Sequence, residues 1–194
     1  MTWLVIATED KISEQIGRRL AHEAGLEVGL CIGNQGNGYL RKRIRNLCEM
    51  SEQQPVLLIT DLDQVAHPQI LIAEWLGSRT PSKNLIFRVA VREIESWILA
   101  DHVAMRSLLG PKASKLPQAP DELPDPKQAL LALAQKANRD VREDMVASRG
   151  SISSQGFGYN ARLSELINNV WCPKRASAHS PSLARARARL QSLI

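Results

Sequence analysis

The chain has 194 residues, 44% of them hydrophobic, with a net charge of +5 and an isoelectric point near 9.4. This length predicts one domain of ordinary size, with room for a small appendage. No apolar run approaches the roughly 20 residues that span a bilayer, and the amino terminus lacks the basic and apolar regions of a signal peptide. The three cysteines form no CxxC pair, which argues against a zinc cluster or a disulfide framework and fits the cytoplasm.

Strand-like and helix-like segments alternate over the first hundred residues. Apolar runs predict strands at 3–7, 26–32, 56–59 and 85–91, and helical spacing predicts helices at about 12–24, 39–50, 68–77 and 93–109. A glycine-rich loop at 33–38 follows the second strand. This order predicts an α/β fold with an open, mainly parallel sheet and helices on both faces, in which the apolar strand at 56–59 is central.

The composition of the chain changes after residue 110. Five of the ten prolines fall between Pro111 and Pro126, so 111–126 is predicted as an irregular connection between a domain at 1–110 and the rest. Residues 127–194 are predicted as a helical extension that packs on the first domain. Its helices are expected at about 126–138, 160–170 and 181–193, with a loop rich in serine and glycine at 148–158.

Asp61 and Asp63 are the sharpest local feature of the sequence. They follow the strongest strand, and alternation along an extended chain would point both side chains to the same side of its carboxyl end. Ligands bind at that edge in open α/β sheets, and two converging carboxylates favour a hard cation such as Mg²⁺ or Mn²⁺. The structural alternative is that either aspartate caps the next helix or stabilises a turn.

Two further acidic groups follow neighbouring strands. Glu9 and Asp10 come after the first strand, so Glu9 would lie near Asp61 if the first and third strands pair; otherwise both acids complement the dipole of the following helix. Glu93 and Glu95 open the segment after the fourth strand.

Helical spacing separates these last two glutamates. In a continuous helix, Glu93 shares a face with Trp97 and Asp101, whereas Glu95 points elsewhere. One glutamate is therefore expected to reach the carboxyl edge of the sheet, and Trp97 is expected in the core.

These features resemble a known family when they are taken in chain order. They are Glu9 after the first strand, the D-x-D of Asp61 and Asp63, and the run R-E-x-E-x-W-x-x-A-D at 92–101. Together they resemble a Toprim-related family of small, mostly uncharacterised bacterial proteins, which is related to the Toprim nucleases of the overcoming-lysogenization-defect class. The resemblance covers about residues 1–110 and continues more weakly at 156–160 and 180–183.

The resemblance implies a Toprim-like fold and a metal-dependent catalytic site. Asp61 and Asp63 would coordinate Mg²⁺ or Mn²⁺, and Glu9 would bind metal or do acid/base work. Glu93 or Glu95 would add another catalytic carboxylate. The chain departs from the family at one point, because Ala7-Thr8-Glu9-Asp10 lacks the glycine usual beside the first-strand glutamate; Glu14 therefore remains an alternative second acid.

Basic side chains would hold the backbone of a nucleic acid if the metal is present. The candidates are Arg41, Lys42 and Arg43 after the glycine loop and Arg149 in the loop at 148–158, with further arginines and a lysine in the tail. Each of them also suits a solvated helix face.

The sequence thus leaves competing functions open. The first is metal-dependent hydrolysis of phosphodiesters in DNA or RNA by a Toprim-like nuclease, with a role in phage defence by family analogy. The second is a non-catalytic Toprim-like module that binds nucleic acid or a partner ATPase, and the third is a phosphatase-like domain that acts on nucleotides. The sequence gives no membrane partner and leaves the oligomeric state open.

Overall fold

Four parallel strands form one open sheet in the order β2-β1-β3-β4. The computed structural model describes residues 3–111, 115–148 and 150–193. The strands are β1 (Trp3–Thr8), β2 (Glu27–Gly33), β3 (Val56–Asp61) and β4 (Leu85–Ala90). Because β2 lies on one side of β1 and β3 on the other, the strand order reverses between β1 and β3, which is where open α/β sheets bind ligands.

Ten α-helices surround the sheet in the described part of the chain. They are α1 (Lys11–Glu23), α2 (Asn37–Ser51), α3 (Pro68–Leu76), α4 (Glu95–Leu99), α5 (His102–Leu109), α6 (Pro126–Ala134), α7 (Arg139–Met145), α8 (Tyr159–Asn169), α9 (Pro173–Ala176) and α10 (Pro181–Gln191). A 3₁₀ turn at Pro120–Glu122 interrupts the proline-rich segment. The predicted α/β class with a parallel sheet is confirmed.

The two faces of the sheet carry separate hydrophobic cores, since alternate strand residues point to opposite faces. One core joins residues such as Leu4 and Ile59 to α1 and to the helices of the carboxyl-terminal half. The other joins Val5 and Leu58 to α2 and α3. The sheet is therefore the middle of three layers, and only its ends and edges face outward.

Two buried tryptophans link the carboxyl-terminal helices to the sheet layer. Trp97 on α4 is fully buried, as expected, and its indole N–H donates to Ser182 Oγ on α10 over 2.7 Å. The indole N–H of Trp171, which lies between α8 and α9, donates to the Trp97 carbonyl over 3.0 Å. These bonds satisfy the polar edge of each ring inside an apolar core.

The prediction of one helix over 93–109 is wrong, because Asp101 divides it into α4 and α5. The Asp101 carboxylate accepts from the N–H groups of Val103 and Ala104 and so caps α5. It is fully buried and also accepts two bonds from the guanidinium of Arg175, at 2.9 and 2.8 Å. The short helices α7 and α9 were not predicted, and the helix predicted at 126–138 ends at Ala134.

Candidate functional site

Glu9 and Asp61 meet where the strand order reverses. Thr8 pairs with Ile59 across β1 and β3, so the residue after β1 lies beside the end of β3. Glu9 Oε1 accepts from the Asp61 backbone N–H over 2.9 Å and from the Thr60 hydroxyl. The register of the two strands therefore holds the Glu9 carboxylate against Asp61. Thr60 is a contact that the sequence pattern had not singled out.

Asp61 carries a carboxyl oxygen with nothing to bond to. Its Oδ1 atom is buried and has no hydrogen-bond partner in the described part of the chain. Burial raises the pKa of Asp61 well above its usual value, and the negative charges of Glu9 and Glu95 raise it further. The ionised form of Asp61 is consequently unfavourable, so the side chain either keeps its proton or binds a cation.

Glu9 is also held in an environment that opposes ionisation. Burial raises its pKa, the bonds from Thr60 and the Asp61 N–H partly offset this, and the charges of Asp63 and Asp10 add to it. Both bonds go to Oε1, and Oε2 has no protein partner within the described ranges. A carboxyl with a raised pKa and one free oxygen can carry a proton to or from a bound group.

Glu95 approaches Asp61 from the helical side of the site. It is only 7% exposed, and its Oε1 accepts from the Tyr159 hydroxyl over 2.8 Å. Burial raises the pKa of Glu95, and it raises the pKa of Tyr159 as well, so the phenol keeps its proton and acts as a donor. Tyr159 is a site residue that the sequence pattern did not assign; its one signal was the weak family similarity at 156–160.

Glu93 lies before the first residue of α4, so the helical-face argument that separated it from Glu95 does not apply. Its Oε2 accepts from the Lys127 N–H at the start of α6 over 2.9 Å. Burial raises the pKa of Glu93, and the charges of Asp125 and Asp63 contribute. Glu95 is thus the glutamate whose charge acts on Asp61, whereas Glu93 lies toward Asp63.

Asp63 stands outside the strand and is exposed. The argument from strand alternation does not reach it, because β3 ends at Asp61 and Asp63 has a φ of 50°. Its Oδ2 accepts from Asn37 Nδ2 at the start of α2 over 3.2 Å. Asp61 is therefore the half-buried member of the D-x-D pair, with its Oδ1 atom buried, and Asp63 is the exposed one.

Two non-glycine residues with positive φ lie beside each other at this edge. They are Asp63 and Arg92, whose φ is 63°, and the Asp63 N–H donates to the Arg92 carbonyl over 2.9 Å. The Arg92 guanidinium donates back to the carbonyls of Asp63 and Val65. Such a conformation costs about 1–3 kcal/mol per residue and is concentrated at functional sites.

Glu14 takes no part in the acidic site. It is buried in α1, where burial alone would raise its pKa. Hydrogen bonds from Asn34, Arg18 and Lys11 outweigh burial and bring the pKa to about 2. Its charge is thus satisfied by a local network, and Glu9 is the acid of this helix–strand junction that faces Asp61.

The basic side chains of α2 that were predicted to contact nucleic acid differ in their surroundings. Arg41 is paired with Glu74 of α3 at 2.6 Å, Lys42 is exposed, and Arg43 lies over the Tyr39 ring with 5.0 Å to its centroid. Arg149 lies outside the described residues. A role of these side chains in binding nucleic acid stays a prediction.

The donor set fits a hard cation that keeps part of its water shell. Among the residues with described placement, no group of three or more acidic, histidine or cysteine side chains is close enough to form a ready-made metal cage. Mg²⁺, however, binds through one or two carboxylates with waters and substrate phosphates as its other ligands. The orphaned Oδ1 of Asp61 and the accessible carboxylate of Asp63 suit that mode.

Comparison of the chain with protein-family models, curated proteins and solved structures gave no match. The Toprim resemblance accordingly stays a prediction from the residues and their order. Within residues 3–111, 115–148 and 150–193, no helix has the length and apolar content that a membrane span requires.

Proposed function

We propose that this chain is a Toprim-like, metal-dependent phosphodiesterase that cleaves nucleic acid, with its catalytic centre at the acidic edge of the sheet. The observation that carries the proposal is the buried, unpartnered Oδ1 of Asp61, held beside Glu9 where the strand order reverses. A carboxylate deprived of water and surrounded by like charges has a strong affinity for a cation. Ligands of open α/β sheets bind at this position.

The order of the acidic groups supports the Toprim assignment. Glu9 follows β1 and the D-x-D pair begins at the last residue of β3, which is the arrangement the resemblance implies. A four-stranded parallel sheet with helices on both faces is compatible with a Toprim-like fold. The proposed role in phage defence follows from the same kinship.

Asp61 and Asp63, with Glu9 beside them, would hold Mg²⁺ or Mn²⁺. When bound, the ion would neutralise phosphate oxygens and make an attacking water more acidic. The role of Asp61 is to supply a desolvated negative oxygen, and that of Asp63 is to reach the exposed side of the ion. Asn37 fixes the orientation of Asp63 through its amide.

Side chains of the protein would carry out proton transfer during cleavage. Thr60 and the Asp61 N–H fix one oxygen of Glu9, so Oε2 would remain free to take up or release a proton. Glu95 adds negative charge behind Asp61, and the Tyr159 hydroxyl fixes its orientation. Lys11 and Lys127 line a cavity of about 150 Å³ next to Glu95, where they would attract a phosphate.

Cleavage assays with isosteric variants test the proposal. Supercoiled plasmid and a labelled RNA would be incubated with the protein in Mg²⁺, in Mn²⁺ or in EDTA. Asp61→Asn should lower the rate at least 10³-fold, roughly the loss seen when a key electrostatic group is removed, and Glu9→Gln should lower it by about 10²-fold or more. Asp140→Asn, at an exposed acid of α7, is the matched control and should cleave normally.

Each other outcome has a definite meaning. Metal-dependent cleavage that survives Asp61→Asn would contradict the proposal. Salt-sensitive binding of nucleic acid without cleavage, unchanged by the same substitution, would instead support the non-catalytic module. Turnover of mononucleotides but not of polymers would indicate the phosphatase-like alternative.

A further inference from the structure

A group of arginines without carboxylate partners lies at the open edge of the sheet. Arg88 is in the middle of β4, an edge strand of the described sheet, and Arg185 and Arg189 are on α10, which packs against β4. Arg88 is half-buried, and its Nε is buried without a hydrogen-bond partner. Burial lowers the pKa of Arg88, and the positive charges of Arg189 and Arg185 lower it further.

This arrangement differs from that of the arginines whose charge a carboxylate balances. Seven arginines form salt bridges with carboxylates, namely Arg18, Arg41, Arg45, Arg139, Arg162, Arg175 and Arg187. In the described part of the chain, Arg88 and Arg185 have no such partner, and Arg189 bonds to the Lys83 carbonyl and to Ser192 Oγ. Arg88 is thus a partly desolvated cation beside two like charges, which is unfavourable until an anion joins it.

Two adjoining cavities run from this group toward Leu62 and Arg92. One of about 450 Å³ lies between α3, β4 and α10 and is lined by Arg88, Arg185, Gln69 and Ser182. The other, of about 630 Å³, is also lined by Gln69 and Arg185 and continues to Leu62 and Arg92. Leu62 lies between the two aspartates of the D-x-D pair, so this edge groove extends to the segment that carries the proposed catalytic residues.

We propose that the edge groove binds the sugar–phosphate backbone of a polynucleotide strand, with Arg88 and Arg185 holding a phosphate of the strand that is cleaved and Arg189 adding positive charge beside them. This assignment rests on the proposed function, because it takes the acidic site as the place of cleavage. Arginine suits a phosphate since its planar guanidinium donates two parallel bonds.

The acidic residues of the groove do not oppose this placement. Asp121 lines only the larger cavity, and its carboxylate already accepts from the Ser180 hydroxyl and the Ser182 N–H. Glu122 lines the same cavity, and neither carboxylate pairs with Arg185. The phosphate is therefore expected at the arginine end, in the smaller cavity.

Binding measured without cleavage tests the groove. Fluorescence anisotropy of a labelled single-stranded DNA and of an RNA of equal length would be followed in EDTA, from low salt to physiological salt. Arg185→Gln and Arg88→Gln should each raise Kd about tenfold, as expected when a charged hydrogen bond is lost. Each should also reduce the slope of log Kd against log salt by about 0.7.

A charge-matched control and a folding check accompany these variants. Arg106→Gln removes an exposed arginine of α5 that lines neither cavity, and it should leave Kd and slope unchanged. Arg88 is part of a strand, so circular dichroism checks the fold of Arg88→Gln. Arg185→Gln, at an exposed helix position, provides the result that does not depend on the core.

The outcomes separate this inference from the proposed function. Binding that is unchanged in both groove variants overturns the inference, even if the wild type cleaves its substrate. Weaker binding in the variants, with no cleavage by the wild type in Mg²⁺ or Mn²⁺, would leave the groove as a nucleic-acid site and refute the nuclease. Variants that lose affinity for inorganic phosphate or a polyglutamate peptide, but not for either oligonucleotide, would overturn the polynucleotide assignment.

Discussion

Replacing Asp61 by asparagine should make the metal-free protein more stable at neutral pH. The substitution keeps the shape of the side chain and removes its charge. Ionised Asp61 is half-buried, its Oδ1 atom is buried without a partner, and it faces the charges of Glu9 and Glu95. Asparagine keeps a polar atom at the buried position and removes only the charge, so we expect a gain of about 2 kcal/mol, within the roughly 1–3 kcal/mol that an uncompensated buried group costs.

The sign of the pH dependence follows from the direction of the pKa shift. The pKa of Asp61 is raised in the folded state, so the folded protein binds its proton more tightly than the unfolded chain does. The stabilisation is fully present below the unfolded value, near 3.8, and is lost as the pH rises through the higher folded value. The advantage of Asp61→Asn should therefore be large at pH 7 and shrink as the pH falls toward about 4.

Thermal unfolding followed by circular dichroism measures this difference. For a chain of 194 residues, about 2 kcal/mol corresponds to a rise in Tm of about 4–8 °C in EDTA. Mg²⁺ at about 100 times its Kd should stabilise the wild type by about 2.7 kcal/mol and leave the variant unchanged, so that the order of stability reverses.

Asp140→Asn at an exposed position is the control and should shift Tm by little in either buffer. A variant at Asp61 that unfolds at a lower temperature than the wild type in EDTA at pH 7 would refute the unfavourable ionisation of Asp61. Equal stabilisation of both proteins by Mg²⁺ would show that Asp61 is not the group that holds the ion.

Three further predictions concern residues that support the site. Arg175→Met removes the cation that pairs with the buried Asp101 carboxylate at the start of α5. The free energy of unfolding in urea should therefore fall by about 3–5 kcal/mol. Gly33→Ala should cost about 2–4 kcal/mol in the same assay, because Gly33 has a φ of 122° and an added Cβ would collide with the Thr8 carbonyl of β1. Gly36→Ala should cost about 1 kcal/mol, because the space around its Cβ is open. Tyr159→Phe removes the hydroxyl that lowers the pKa of Glu95, so ¹³C NMR should show that carboxyl titrating at a higher pH than in the wild type.

Local sequence pattern was sufficient for the elements that carry Glu9 and Asp61. Apolar runs marked all four strands, and helical spacing marked α1, α2 and α3, because burial on a sheet or helix face imposes a period that is legible in the residues themselves. The order of these elements then predicted that the acids after β1 and β3 share one edge. Their contact through the Asp61 N–H follows from the strand register, which the sequence did not specify.

The interpretation of the sequence failed where it assumed that a strand or a helix continues. Strand alternation was extended to Asp63, but the chain turns into a positive-φ conformation there. Helical spacing was extended through Glu93 and Asp101, but one lies before α4 and the other caps α5. Caps and turns depend on partners such as Arg175 that are distant in sequence.

The sequence by itself determined the fold class, the two strand ends that bear acids, and the types of ligand they can offer. Tertiary structure alone decided that Tyr159 reaches Glu95 across 64 positions of the chain, and that Arg88 lies beside Arg185 and Arg189. It also decided which oxygen of Asp61 is left without a partner. Periodicity records which face of an element is buried, whereas these contacts depend on how separate elements pack, and packing is set by side chains far apart in the sequence.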